Sequence, residues 1–453
     1  MTQKEALSIL KTGANVFLTG EPGSGKTHTI NEYVKYLRAK GMEPAITAST
    51  GIAATHIGGM TIHSWSGIGI KTHLDEYELD RISSTKYIVK RVMSARVLII
   101  DEVSMLPPNA LTMIDAVCRE IKQSSAPFGG LQIVLVGDFF QLPPIVKGDR
   151  ESAGGRSEQT IFVDDSEPRF AYDSEAWKRS KLVVCYLTEQ HRQDDSKYLA
   201  LLSAIRANTF SPEHLSHIKT RIITGDRAPT GTPKLFAHNA DVNRVNDEIL
   251  SKLPGAPQVF AMSSSGHEML VGALKRGCLS PEKLYLKVGT AVMFTKNNPK
   301  EGYVNGSLGM VEKISDCPVV KLRNGRMVEV RALTWAVEEG GRILARITQV
   351  PLRLAWAITV HKSQGMSLDE AVMDLRDVFE YGQGYVALSR VRRLSGLYLL
   401  GWNERAFQVH PGVLAEDMEL RRASEEANAV FGKMKASELK TMHTNFIRAA
   451  GIQ

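Results

Sequence analysis

The sequence predicts an α/β protein: two units, each a parallel sheet covered by helices on both faces, with a small β-barrel inserted in the second and a helical tail. Three observations carry this. Short apolar runs that do not alternate, each ending in a glycine-rich or polar turn, recur with helical stretches between them, as a doubly covered parallel sheet requires. One of those turns, GEPGSGKT at residues 20–27, joins an apolar run to a helix. Between about residues 297 and 350 the texture changes to short alternating segments, GMVEKI, VVKLRNG and RMVEVRAL, whose period of two marks half-buried antiparallel strands.

Taken in order, the first unit spans residues 1–180, with strands at Val16-Phe17-Leu18, Pro44-Ala45-Ile46, Val97 to Ile100 and Gln132 to Leu135. HTINEYVKYLRAK at 28–40 sets Ile30, Val34 and Leu37 on one helix face, with Tyr33 alongside. Residues 66–93, rich in charge from Ile70 onward, form a partly helical outcrop, and 147–169 reads as a long exposed loop. The second unit covers 181–296 and 351–410, and the barrel, 297–350, has turns at Arg323-Asn324-Gly325 and Glu339-Gly340-Gly341. In the tail, 411–453, Leu420, Ala423, Ala427, Val430 and Met434 repeat at helix spacing and are expected to pack on the core.

A chain of 453 residues, 43% hydrophobic and 23% charged, builds real cores. Its net charge of +7 permits a polyanionic partner without demanding one. Four scattered cysteines, Cys118, Cys185, Cys278 and Cys317, support neither a zinc site nor a disulfide framework, which points to a reducing interior. The polar start, MTQKEALSIL, is not a signal peptide. No apolar run approaches the ~20 residues a membrane helix needs. The expectation is a soluble protein with no membrane partner, cytoplasmic and nucleoid-associated if prokaryotic.

GEPGSGKT sits where a phosphate loop must, between strand and helix. Gly20, Gly23 and Gly25 let backbone N–H groups curl round a phosphate, with Ser24 and His28 completing the expected cofactor contacts. Lys26 reaches the outer phosphates, and the Thr27 hydroxyl suits Mg²⁺. In VLIIDEVSML a buried strand ends in Asp101-Glu102, one carboxylate for the metal and the next for a water near the γ-phosphate; a plain strand-end cap is the bland alternative. Arg192 in LTEQHRQ and Arg390 in YVALSRVRR are candidate finger arginines, although lone arginines are more often solvated surface charges.

Seven segments, GEPGSGKT, TASTGIAATHIGGMTIHSW, IIDEVSML, VGDFFQLPP, LTEQHRQ, ITVHKSQGMSLD and GYVALSRVR, occur in that order. Together they resemble the motif series of superfamily 1 helicases, specifically the petite-integration-frequency (PIF-type) 5′→3′ DNA helicases, from about residue 3 to residue 402. The resemblance implies two RecA-like P-loop domains with ATP and Mg²⁺ between them, a wedge subdomain in the first and an SH3-like barrel in the second. It matches Gln3 to an adenine-reading glutamine, Asp101 to the Mg²⁺ ligand, Glu102 to the catalytic base and Gln141 to the γ-phosphate sensor. It makes Arg192 and Arg390 the two arginines that reach the phosphate from the second domain. His191 departs from the aromatic residue often found before the first of them. The implied partners are single-stranded, forked or G-quadruplex DNA, engaged by a monomer or by a dimer on DNA.

A track for the strand follows. Thr50, Gly51 and His63 suit phosphate and sugar contacts, and Trp65 suits core packing. Of Phe139 and Phe140, one ring is expected to turn toward a base, since stacking is worth ~1–3 kcal/mol per base whatever the sequence. Thr359, His361 and Lys362 fall on the family's strand-binding motif, and Asn305-Gly306 adds a backbone contact. None of these reads base edges, so binding should tolerate sequence and weaken with salt. Rival readings are a RecD-like motor within a larger complex, a P-loop ATPase that remodels protein, and a folded-DNA binder regulated by ATP.

Overall fold

In the computed structural model, which describes residues 1–451 other than 57–58, 70, 145–168, 191–194, 225–228, 230–231, 297, 304, 323 and 340–341, the apolar runs of the first unit become one sheet. Its strands are β1 (Val16–Gly20), β2 (Ala45–Ala48), β3 (Met60–Thr61), β4 (Val97–Asp101), β5 (Gln132–Val136) and β6 (Val183–Leu187), in the order β3-β2-β4-β5-β1-β6. Every pairing is parallel. Alternate residues feed two cores: Val16, Leu18, Val97, Ile99, Val134 and Val136 face one side, Phe17, Leu98, Ile100, Ile133 and Leu135 the other. Both faces are apolar, which is why the strands read as unbroken runs.

Helices α1 (Gln3–Leu10) and α2 (Lys26–Ala39) cover the first face with Ile9, Leu10, Ile30, Tyr33 and Leu37. The second face carries α4 (Ile62–Ser66), α5 (Glu76–Ser83), α6 (Lys86–Ser94), α7 (Pro108–Lys122) and α8 (Glu175–Arg179), while Ala53 and Ala54 of α3 (Gly51–His56) pack separately on Ala48 of β2. Ile82, Ile88 and Val92 of α5 and α6 join the core beside Trp65, so the expected outcrop is anchored rather than free-standing. The 147–169 loop lies outside the described residues, except Arg169.

Register places the site. Leu18 pairs with Val136 and Ile100 with Leu135, so Gly20, Asp101 and Gly137 leave the sheet at one edge. In open α/β sheets ligands bind beyond that carboxyl edge, where strand order reverses.

The second unit opens with α9 (Ser196–Arg206), α10 (Pro212–Lys219), β7 (Lys234–Phe236) and α11 (Asn239–Lys252). Next comes an all-β body. In it β8 (Gln258–Ala261) pairs with β10 (Lys283–Leu286), and β9 (Ser263–Gly266) joins the hairpin β15 (Leu333–Glu339)–β16 (Arg342–Gln349). An antiparallel sheet runs β14-β13-β12-β11-β17, from β11 (Ala291–Phe294), β12 (Leu308–Ile314), β13 (Pro318–Leu322), β14 (Met327–Glu329) and β17 (Leu352–Leu354). Leu284 and Leu286 of the pair share one interior with Val292, Phe294, Val311, Val320 and Leu352 of the sheet. Helix α12 (Glu268–Gly277) packs on α3 of the first unit. The chain then returns through β18 (Ala357–Thr359), β19 (Ala371–Leu375), α13 (Gln383–Leu388) and β20 (Leu397–Trp402), making a parallel sheet ordered β18-β7-β19-β20.

Three expectations are corrected. The sequence places the start of the second unit at residue 181, but β6 pairs with β1 along its whole length and belongs to the first sheet; an apolar run does not say which sheet it joins. The insertion, expected at 297–350, spans β8 to β17, 258–354, because QVFA and KLYL are too short and too far apart to show alternation. In the tail, α14 (Pro411–Gly432) lies along β6 with Leu420 buried, but Val430 is 56% exposed and leaves the packed stripe. Helix α15 (Ala436–Ala449) sends Phe446 and Ile447 into the core under α1 and α2.

Candidate active site at the seam of the two units

The phosphate loop turns into α2 through Gly25, which caps the helix in a left-handed conformation, φ 90°. A Cβ there would also displace the Gln3 amide from the loop, but the left-handed backbone is what calls for glycine. Gln3 Nε2 donates to the Ser24 carbonyl at 3.3 Å, placing this glutamine on the loop. Ser24 Oγ is buried without a hydrogen-bond partner. Lys26 Nζ donates to the carbonyls of Gly20 (2.7 Å) and Glu21 (3.2 Å), poised over the loop. The His28 side chain is exposed and exerts its charge on Glu32 one turn along, so it brings only its backbone N–H to the loop.

Thr27 and Asp101 line one small cavity with Asn31. Burial pushes the Asp101 carboxyl up, against the opposing pull of the Glu102 backbone N–H, at 2.9 Å, and of Lys26. Burial also pushes Glu102 up, to about 7, with the Asp101 charge adding to it and Lys26 and Arg390 opposing. Glu102 itself stands at φ 53°, a left-handed conformation that costs a non-glycine residue energy and is kept at functional sites. Among the described residues no three His, Cys, Asp or Glu side chains form a self-sufficient metal site. One carboxylate and one hydroxyl suit Mg²⁺, which takes its other oxygens from phosphates and water.

The second unit reaches this edge through a residue that lies within a sequence motif but carries no expected role. Gln364 Nε2 donates to Glu102 Oε2 at 3.1 Å. Arg390 lies behind the same loop, 1% exposed, its guanidinium donating to the carbonyls of Val386 (2.8 Å), Ser363 and Met366 (both 3.3 Å) and to Ser389 Oγ (2.7 Å). Its charge is felt at Glu102, but its N–H groups are held within the second unit. Arg192 lies outside the described residues, as does His191; two residues earlier, Gln190 Nε2 donates to Glu21 of the phosphate loop at 3.0 Å.

Gln141 is 6% exposed, its Nε2 donating to Asp138 Oδ2 at 3.2 Å. Phe139 and Phe140 do not turn toward solvent. Phe139 packs among Phe17, Phe170, Tyr172 and Trp177, with centroids 4.8–6.0 Å away, and Phe140 lies under the Arg206 guanidinium at 4.0 Å. The expected base platform is therefore core, because the elbow folds its rings inward under α8 and α9.

The carboxyl edge of the second sheet offers a replacement. Phe379, beyond β19, is 59% exposed and stacks on His238, beyond β7, at 5.0 Å and 20°. His361 and Lys362 follow β18 at the same edge. Burial pushes both down, with His238 adding to the effect on His361 and Arg353 on Lys362. Arg353 is itself pushed down to about 10 by burial, and its Nε has no partner. Thr359 is 2% exposed and its Oγ1 accepts the Lys362 N–H at 3.3 Å, so it shapes the turn instead of offering a strand contact. Gly306 rests 3.6 Å from Met366 in Cβ terms, bringing Asn305-Gly306 beside the motif loop. On the first unit, Thr50 Oγ1 accepts the Ala53 N–H at 3.2 Å and caps α3, with Gly51 next to it, while burial pushes the partly covered His63 down.

With this geometry in view, the comparisons are consistent. Residues 3–212 match the family model of PIF1-like helicases, and 270–314 match that of the DNA helicase Pif1 2B domain. The ATP-dependent DNA helicase Pif1 of Psychrobacter sp. is 39% identical, over 100% of this chain and 75% of the relative. Among solved structures, Bacteroides sp. Pif1 in complex with ADP-AlF4 superposes with a TM-score of 0.79 at 30% identity, covering 93% of this chain and 96% of that one. Bacteroides Pif1 bound to ssDNA gives 0.65 at 29% identity, over 93% and 97%. A phosphate loop, a carboxylate pair beside it and a hydrogen bond reaching that pair from the second RecA-like unit are thus found in a chain that belongs to the Pif1 family of ATP-dependent DNA helicases.

Proposed function

We propose that the chain moves 5′→3′ along single-stranded DNA and opens duplex, forked or G-quadruplex DNA ahead of it, using Mg²⁺-ATP bound at the seam. The Gln364–Glu102 hydrogen bond carries this reading, because the loop that holds Gln364 also bears His361 and Lys362. A displacement of that loop by a phosphodiester chain is felt at the catalytic carboxylate, and the reverse.

The residues divide the work as follows. Gln3 lies where an adenine would abut the loop; Lys26 and the N–H groups opening α2 receive the phosphates. Thr27 and Asp101 would hold Mg²⁺, whose charge offsets that building on the phosphoryl oxygens. Glu102 Oε takes the proton of the attacking water, a role suited to a carboxyl raised to about 7. Gln141 senses the γ-phosphate, and Arg390 enters once its carbonyl partners release it. On the strand side, Lys362 and Arg353 meet phosphates and the Phe379–His238 stack receives a base. Both halves of the seam come from one chain, so a monomer has a complete site. Opening a base-pair step costs about 1.4 kcal/mol of stacking, small beside what ATP hydrolysis releases.

The test is unwinding of duplexes bearing a 5′ or a 3′ single-stranded tail, with and without ATP. Opening of the 5′-tailed substrate alone, and only with ATP, is expected. Opening from the 3′ tail contradicts the direction.

A further inference from the structure

Arg206 ends α9 and is 3% exposed. Its Nη1 lies 2.8 and 3.0 Å from the two carboxylate oxygens of Asp138, in the first unit, and its Nη2 donates to the Tyr186 hydroxyl of β6 at 2.8 Å. Asp138 is wholly buried and accepts two further bonds, from the Phe140 N–H and from Gln141 Nε2, both at 3.2 Å. One carboxylate therefore sits between Arg206 and the glutamine amide. As an acceptor-only group it draws the amide nitrogen toward itself and so fixes which way the Gln141 amide faces.

Arg206 moves with the second unit. Tyr198 of the same helix donates to the Leu388 carbonyl of α13 at 2.6 Å, and Asp195 at its start accepts the Leu394 N–H at 3.0 Å. Tyr385 of α13 touches the Arg206 guanidinium at 3.4 Å. A Cβ on Gly382, just before α13, would strike the carbonyls of Phe140 and Gln141 at 2.5 and 2.6 Å, so this helix starts against the elbow itself. The C-terminal helix completes the cluster. Asp417 Oδ1 accepts from the Tyr186 hydroxyl at 3.0 Å, and Arg421 bonds both Tyr186 (2.6 Å) and Asp417 (2.7 Å). Arg206 and Asp138 thus balance in a buried pair where first unit, second unit and tail meet, with Asp417 and the half-exposed Arg421 at its rim; removing either member of the buried pair strands a charge out of water.

We propose that Arg206 is a positioning residue for ATP hydrolysis: by gripping Asp138 from the second unit, it makes the orientation of the Gln141 amide depend on how the two units are seated. Nothing in the family motifs assigns Arg206. The inference rests on the reading of Gln141 as the γ-phosphate sensor. It gives the tail a part as well, since α14 holds the far side of the same guanidinium through Tyr186 and Asp417.

The test is a double-mutant cycle on the full chain, Arg206→Gln against Gln141→Ala, with ATPase kcat and KM measured at saturating single-stranded oligonucleotide. Each single variant is expected to lose about 10–100-fold in kcat, the scale of a misplaced catalytic group, with KM for ATP within about threefold. The double variant should be no slower than the worse single one, and Arg206→Lys should recover part of the loss. A folded Arg206→Gln variant with wild-type kcat, or losses that multiply in the double variant, overturns the proposal while leaving the sensor reading intact. An unaffected Gln141→Ala overturns the sensor reading first. Should Arg206→Gln fail to fold, Tyr186→Phe removes only the hydroxyl beside the guanidinium; a lowered kcat, with no further loss when Tyr186→Phe is added to Gln141→Ala, is expected, and an unchanged kcat counts against the proposal.

Discussion

The carboxyl edges of the two parallel sheets carry opposite charge balances. At the first, two carboxyls, Asp101 and Glu102, share Lys26, and burial pushes both up. At the second, Lys362 and His361 are pushed down by burial, as is Arg353 of the adjoining β17, and among the described residues none of the three pairs with a carboxylate. The carboxyl pair at the first edge is short of cationic charge, and the cations that follow β18 at the second are short of anionic charge, because Asp374 and Glu380, at and beyond the end of β19, pair with Arg376 and Arg169. Each is relieved by its own ligand, Mg²⁺ with a nucleotide on one side and a phosphodiester chain on the other. The joint between them is a neutral amide, Gln364, which can hold Glu102 without settling either balance.

The comparison can be broken from either side. Glu102→Gln removes the base and should cut ATP hydrolysis by about 10²–10⁴-fold, leaving oligonucleotide affinity within about threefold by fluorescence anisotropy. Loss of both activities together would merge what the two edges separate. Next in size, Phe139→Ala and Phe379→Ala should differ in kind. The buried ring costs about 3–5 kcal/mol of stability on truncation, and the exposed one about 1–3 kcal/mol of strand affinity with the melting temperature kept. Reversal of the two effects would restore the elbow as the platform. On the cationic edge, Lys362→Gln should weaken strand binding and flatten the dependence of log Kd on log salt by about 0.7, the slope that neutralising one strand phosphate contributes. The melting temperature of the free protein should not fall, since a desolvated charge is removed.

The smallest effect is a titration. Glu102 has an ordinary value of 4.5 and is raised to about 7 in the folded chain, so between those pH values the folded state holds a proton that the unfolded state has released. Its contribution to stability is present below the ordinary value and is lost as pH rises toward 7. Glu102→Gln does not titrate, so the melting temperature of the variant minus that of the wild type should grow from pH 5 to pH 8 without nucleotide. A gap that stays constant contradicts the buried-carboxyl description.

Much of the first edge is legible because its chemistry is local. GEPGSGKT must lie between a strand and a helix, and VLIIDE must end a strand, so Lys26, Thr27, Asp101 and Glu102 can be placed from neighbours in sequence alone. The rest depends on contacts between distant segments. Gln364 meets Glu102 across 262 positions and Arg206 meets Asp138 across 68; in sequence the first is one more polar residue of VHKSQG and the second ends an ordinary helix. Phe139 and Phe140 are misplaced by sequence reasoning because an elbow beside a buried strand gives no sign of which way its rings fall. Phe379 sits in LRDVFEYG with no periodic context, and only the stack on His238 and its exposure single it out.

The coupling through Gln364 is tested most directly by measuring ATP hydrolysis of the wild type and of Gln364→Ala while single-stranded oligonucleotide is titrated in. The wild-type rate should climb with oligonucleotide, and the variant should bind the same oligonucleotide and nucleotide while its rate stays flat. A wild-type rate indifferent to the oligonucleotide, or a variant stimulated as strongly as the wild type, would contradict the account.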